Sequence, residues 1–99
     1  MARFRVHRLK LGDQLVVDLQ SDYLQDLPTR VVAPLQSVED VSWVIARLTP
    51  RFEVGGKSYV MATHRLSALA VSDLGPSVAD LSPRADEITA ATDFLFQGF

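Results

Sequence analysis

Hydrophobic and polar residues alternate with a period of two through the first third of the chain, which predicts strands. In Arg3–His7 (RFRVH), Phe4 and Val6 fall on one face and Arg3, Arg5 and His7 on the other. In Gln14–Gln20 (QLVVDLQ), Leu15, Val17 and Leu19 oppose Val16, Asp18 and Gln20. Gly12-Asp13 between them suits a tight hairpin turn. A third strand, Thr29–Leu35 (TRVVAPL), is expected to stop at Pro34, because proline has no N–H to give to a ladder. Ser37–Leu48 (SVEDVSWVIARL) is ambiguous. Val38, Val41, Val44, Ile45 and Leu48 follow helical spacing, yet β-branched residues dominate, so a short helix or coiled loop is expected rather than a strand.

The second half repeats the strand pattern and then changes period. Pro50–Ala62 (PRFEVGGKSYVMA) reads as a hairpin, since Gly55 and Gly56 can both take the positive φ of a type I′ turn. A last strand is expected over Leu66–Asp73 (LSALAVSD), before Gly75-Pro76. A helix then closes the chain. Ser82 is the expected N-cap, Pro83 occupies the first helical position, and Asp86 and Glu87 suit the positive end of the helix dipole. On a 3.6-residue wheel Ile88, Thr92, Leu95 and Phe99 share one stripe, with Ala91 and Phe96 at its edges. Leu95 and Phe99 are expected to close the core, and Phe94, Gln97 and Gly98 to be presented outward. The predicted fold is mainly β with one C-terminal α-helix: an antiparallel sheet or small SH3-like barrel, as a single domain over residues 1–99.

Composition narrows the function classes. Hydrophobic residues at 47% and charged ones at 22% exclude a disordered chain. A formal net charge of -2 gives no electrostatic support for a nucleic-acid surface, and no direct nucleic-acid binding is expected. Without cysteine there are no disulfides and no thiolate metal sites. The basic start (Arg3, Arg5, Arg8, Lys10) is not followed by an apolar run of signal-peptide length, and no stretch approaches a membrane span. A cytoplasmic protein is expected.

Signals for catalysis are weak. His7 and His64, the only histidines, lack a metal-ligand spacing and read as a strand-surface and a loop histidine. No phosphate loop or nucleophile elbow is present, and Asp18, Asp22 and Asp26 form no repeated motif. Arg30, His64 and Arg65, with Thr29 or Thr63, are the one set that would suit phosphodiester cleavage, against scattered surface charge as the simpler reading. Trp43, the only tryptophan, sits beside valines and reads as core. No catalytic residue, cofactor or metal is assigned.

Several pieces in order resemble the CcdB-type toxins of toxin–antitoxin modules. Phe4 and Val6 open the first strand, and Val17–Asp22 (VDLQSD) is close to the family's Val-Asp-Val-Gln-Ser-Asp. Pro34-Leu35 closes the third strand. Val71–Gly75 (VSDLG) and Val78–Arg84 (VADLSPR) follow, with only Pro83 departing, and the tail keeps Phe-x-Gly-apolar in Phe96–Phe99. The resemblance implies the fold shared with MazF-type endoribonucleases. It also implies a homodimer, a cognate antitoxin with a disordered tail, and the A subunit of DNA gyrase as the target, trapped on cleaved DNA. Family contact positions carry over as Tyr23 and Leu24, and as Asp93, Phe96, Gln97, Gly98 and Phe99. An endoribonuclease of the MazF type, or a non-toxic homologue that only dimerises and binds antitoxin, are the alternatives.

The family tail reads Phe-Trp-Gly-Ile, whereas this chain has Phe-Gln-Gly-Phe. The family tryptophan stacks on a gyrase arginine, a contact worth about 0.5–2 kcal/mol that Gln97 does not supply. Two helical residues from Gln97, Phe99 faces nearly the opposite side and does not simply restore the missing aromatic. The antitoxin is expected to be acidic, drawn by Arg3, Arg5, Arg8 and Lys10 if these share a surface.

Overall fold

The alternating N-terminal third builds the spine of an antiparallel sheet. Strands β1 (Arg5–Leu9), β2 (Leu15–Asp18) and β3 (Thr29–Ser37) pair in sequence order, with Val6 opposite Val17 and Val17 opposite Ala33. A computed structural model describes residues 2–99. β4 (Arg51–Val54) and β5 (Lys57–Met61) form the expected hairpin, with φ of 60° at Gly55 and 80° at Gly56. β6 (Ser67–Ala70) and β7 (Leu74–Asp80) complete the sheet, whose path is β4-β5-β3-β2-β1-β7, with β6 also on β3.

Three strand boundaries differ from the sequence reading. β3 runs through Pro34 to Ser37. It changes partner there: Thr29–Val32 pair with β6 and Leu35–Ser37 with β5. The Pro34 carbonyl accepts from Ala62, so the missing N–H faces the gap between those two partners, where no ladder bond is lost. The stretch expected as the last strand is β6 followed by a 3-10 turn at Val71–Asp73. β7 then passes through Gly75-Pro76, and proline is tolerated because β7 lies at the end of the sheet. At the other terminus β1 begins at Arg5, because Phe4 takes a left-handed φ of 73°. Its N–H donates to the Asp18 carbonyl and its carbonyl accepts from Leu81, which hold this conformation.

The central strands β2 and β3 carry buried residues on both faces of the sheet, while β4, β6 and β7 keep exposed positions. Val6, Leu15, Val17, Leu19, Ala33 and Leu35 pack with Phe52, Met61 and with Ile88 and Ala91 of the helix α1 (Ala85–Gln97). On the opposite face the sheet curls into a half-barrel, so that Leu69 of β6 and Leu74 of β7 close over Val16 and Val32. This second core explains why His7, expected at a strand surface, is only 5% exposed. Its Nδ1 donates to the Gly75 carbonyl at 3.0 Å. Asp18, Gln20 and Arg30 are buried too. The Gln20 side chain donates to the carbonyls of Leu24 and Thr29 and accepts from the Val31 N–H, so it serves the backbone of the β2–β3 connection. No helix among the described residues is long and apolar enough to cross a membrane.

Candidate functional site

Helix α1 is fastened at its start and left open at its end. The helical segment opens with a 3-10 turn at Ser82–Arg84 that contains Pro83, and α1 itself begins at Ala85. Ser82 is the first residue of this turn rather than its cap, which is Leu81, and the Asp80 Oδ1 just before it accepts from the Ser82 N–H at 2.9 Å. The Ser82 backbone N–H and hydroxyl hold the Asp80 carboxyl below the usual carboxylate range, with a smaller contribution from the Arg5 charge. Arg84 pairs with Glu87 one turn on, donates to the Arg51 carbonyl, and lies 4.7 Å over the Phe52 ring. Asp86 and Glu87 occupy the first turn as expected.

The far end behaves differently. Ile88 and Ala91 are buried, Thr92 and Leu95 half-buried, but Phe96 is 71% and Phe99 70% exposed. Phe99 therefore does not close the core. The wheel that grouped it with Ile88 assumes that the helix continues, and Gly98 ends it. With φ of 80°, Gly98 takes the left-handed cap conformation and its N–H returns to the Phe94 carbonyl at 3.0 Å. Phe99 leaves the helix path and is exposed, and Phe96 and Gln97 in the last turn of α1 are exposed as well.

Of the expected contact residues, Asp93, Phe96, Gln97, Gly98 and Phe99 are all at this end of α1 and all are exposed there. Tyr23 and Leu24 stand apart from them. They lie on a 3-10 turn at Asp22–Leu24, where the Ser21 hydroxyl accepts from the Tyr23 N–H. Tyr23 is 99% exposed and lines an open hollow with Arg3, Asp80 and Ser82, beside the start of the helical segment. At 1.5 Å per residue, roughly 20 Å of helical segment separates Ser82 from Phe96. The expected contacts are two surfaces in one chain.

The residues that would suit phosphodiester cleavage are not assembled. Arg30 is 1% exposed and paired with Asp18, while Thr63 is buried with its hydroxyl donating to the Leu48 carbonyl. His64 and Arg65 are exposed on a 3-10 turn at Thr63–Arg65 and stack around Trp43 instead. Trp43 is half-buried in an irregular loop rather than core, and its neighbours Val44 and Ile45 are 64% and 52% exposed. The basic residues Arg3, Arg5 and Arg8 border different hollows. Arg3 is held by the Leu19 carbonyl against the Phe4 ring. Arg5 borders a hollow with His7 and Ser77, whereas Arg8 faces Asp13 at 3.9 Å in a different hollow. Among the described residues no group of three or more histidines and carboxylates is placed to hold a metal ion.

Sequence reasoning missed two pairs, Arg47 over Phe94 at 4.9 Å and Asp18 with Arg30. Only the second left a trace, as a charge inside each of two otherwise apolar, alternating strands. The family model for the CcdB protein matches residues 3–98. The chain belongs to the CcdB family. In fold, this CcdB-type toxin is similar to an endoribonuclease solved in complex with its cognate antitoxin from a mycobacterial species. The TM-score is 0.76 at 15% identity, over 94% of this chain and 91% of that one. It is similar to the same degree to the Mycobacterium tuberculosis toxin MazF-mt6, with TM-score 0.76 and 16% identity over 93% and 95% of the two chains. At such identities the likeness is one of fold: the curled antiparallel half-barrel with one C-terminal helix is common to the CcdB-type chain and these toxins.

Proposed function

We propose that this CcdB-family protein is the toxin of a type II toxin–antitoxin module that acts by binding, without chemistry of its own. Its target is the A subunit of DNA gyrase, its contact surface the exposed tail, and its working form a homodimer neutralised by a cognate antitoxin. The observation that carries the reading is the tail itself. A helix-stopping glycine turns Phe99 outward, next to an exposed Phe96, in the family's Phe-x-Gly-apolar pattern. Large exposed aromatics of this kind mark contact sites. Phe99, freed from the helix path, offers an aromatic near the position where Gln97 lacks one.

The ribonuclease reading finds less support. Arg30 is committed to Asp18, and the polar hollow that holds Arg8 and Lys57 also holds Asp13 and Asp40, so its charges cancel. The test is to induce the protein in a bacterial host and assay for gyrase trapped on cleaved DNA, with purified protein incubated with RNA in parallel. Trapped complexes and intact RNA are the expected result. Cleaved RNA from rigorously purified protein would favour the ribonuclease, and neither effect would favour a non-toxic homologue.

A further inference from the structure

One buried amide, Gln20, governs an exposed turn. Gln20 is 7% exposed, and its main chain is fixed by the buried ion pair. Its N–H donates to Asp18 Oδ1 at 3.0 Å, and its carbonyl accepts from Arg30 Nη2 at 3.3 Å. The side chain then spans the connection from β2 to β3. Nε2 donates to the Leu24 carbonyl at 2.9 Å and to the Thr29 carbonyl at 3.1 Å, and Oε1 accepts from the Val31 N–H at 3.0 Å. Leu24 ends the 3-10 turn that carries Tyr23, and Thr29 opens β3, so one side chain ties the turn to the sheet. Two carbonyls there need a donor and one N–H needs an acceptor, and a primary amide offers both.

Packing does not hold this turn, because none of Asp22, Tyr23 and Leu24 is buried. Its own bonds are local: the Leu24 N–H donates to the Ser21 carbonyl at 2.9 Å and the Leu27 N–H to the Leu24 carbonyl at 3.2 Å. At its start the Arg3 N–H donates to Asp22 Oδ1 at 2.9 Å, an exposed bond open to water. The bonds from Gln20 reach the turn from inside the fold, where a satisfied polar network fixes one geometry. Tyr23 is 99% exposed and takes its position from the backbone that Gln20 holds. A turn fixed in advance does not have to be ordered on binding.

We infer that Gln20 is a positioning residue: without touching the target, it holds the β2–β3 turn so that Tyr23 and Leu24 meet the target as a preset surface. The role rests on the binding function proposed above and concerns the second of its two surfaces. Buried at the foot of the turn, Gln20 acts on binding either through the turn or through the stability of the whole fold. The two routes are separable, because only the first is confined to Tyr23 and Leu24.

Two variants of the full chain test this. Gln20→Glu keeps the acceptor for Val31 and removes both donors, whereas Gln20→Met removes the polar groups without adding charge. Amide hydrogen exchange reads the turn directly. In a variant that is folded by circular dichroism, the Leu24 and Leu27 N–H groups should exchange at least about tenfold faster than in wild type, while Val6 and Val17 keep their protection. Affinity for the purified A subunit of DNA gyrase, measured by calorimetry, should fall about tenfold. That loss should disappear in a Tyr23→Ala/Leu24→Ala background and persist in a Phe96→Ala background, since residues acting through one another are not additive. A purely structural role would give the same loss in both backgrounds. Equal losses, or turn amides that stay protected in both variants, overturn the positioning role and leave the binding function standing. No binding of the A subunit by the wild type removes the binding function and the positioning role together.

Discussion

Asp18 and Arg30 form an ion pair across β2 and β3 in which Nη2 lies 2.7 Å from Oδ2 and neither side chain is more than 1% exposed. Arg30 Nη2 also donates to the Gln20 carbonyl at 3.3 Å, while Nη1 is buried without a hydrogen-bond partner among the described residues. Arg30 Nε also reaches Asp18 Oδ2 at 2.9 Å, and Asp18 Oδ1 accepts from the Gln20 N–H at 3.0 Å. Asp18→Asn would leave a buried guanidinium without its counter-charge, which costs about 3–5 kcal/mol. The expected outcome is a large drop in the urea midpoint. Asp18→Leu combined with Arg30→Met should recover much of it, because both charges leave together. The same geometry predicts that single Arg30 variants lose fold before any activity can be read from them.

Gly75 has a different constraint. A Cβ there would stand 2.4 Å from the Arg8 carbonyl oxygen, which is backbone and cannot swing aside. The contact exists because β7 crosses close to β1 where their register shifts around His7. Gly75→Ala should therefore destabilise by about 1–3 kcal/mol. Equilibrium urea denaturation checks it, and an unchanged midpoint would mean that the strands separate easily at this point.

The exposed tail separates stability from function. Phe96→Ala and Phe99→Ala remove side chains that are mostly in solvent, so stability should change by no more than about 0.5 kcal/mol. Both should reduce growth inhibition and gyrase trapping. Gln97→Trp should strengthen trapping on an enterobacterial-type gyrase, since a missing aromatic anchor costs about 2 kcal/mol or more, at least tenfold in affinity. Strong trapping by the wild type with no gain in the tryptophan variant would show that the family contacts do not transfer.

Asp80 predicts an acid-sensitive helix start. Its folded pKa is lowered by the bonds from Ser82, so the unfolded chain binds the proton more readily in the acid range. The stabilisation is complete above the ordinary aspartate value and is lost as pH falls through the folded one. Thermal melts of wild type and Asp80→Asn should differ at neutral pH, and the difference should shrink progressively as pH falls below about 4.

The working form is expected to be a homodimer. Val44, Ile45, Phe96 and Phe99 are all more than half exposed, and exposed large apolar side chains of this kind mark contact surfaces. Sedimentation at micromolar concentration should give twice the chain mass; a monomer alone would contradict it.

Much of the fold was legible because it rests on local periods. Alternation placed Leu15, Val17 and Leu19 in the main core, Gly55-Gly56 marked its hairpin, and the change to helical spacing located α1 with Ile88 inward. These follow from chain geometry, which sets the period of two in a strand and 3.6 in a helix. The limits were also local. Nothing in TRVVAPL says that β3 will trade one neighbour for another at Pro34, so a proline that is harmless in the sheet reads as a stop.

An antiparallel sheet, a closing helix and the family to which both belong are written in the residues themselves. What lies across the sheet is not, and everything that depends on it was settled by tertiary packing. Only the curl of β6 and β7 over the second face turned His7, Asp18 and Arg30 from polar surface positions into buried ones. A period marks which residues share a face but not whether another layer covers it. At the tail the same distinction runs the other way. The helical wheel sent Phe99 inward, and one left-handed residue, Gly98, ended the helix and turned Phe99 out, because a wheel is valid only for as long as the backbone keeps turning.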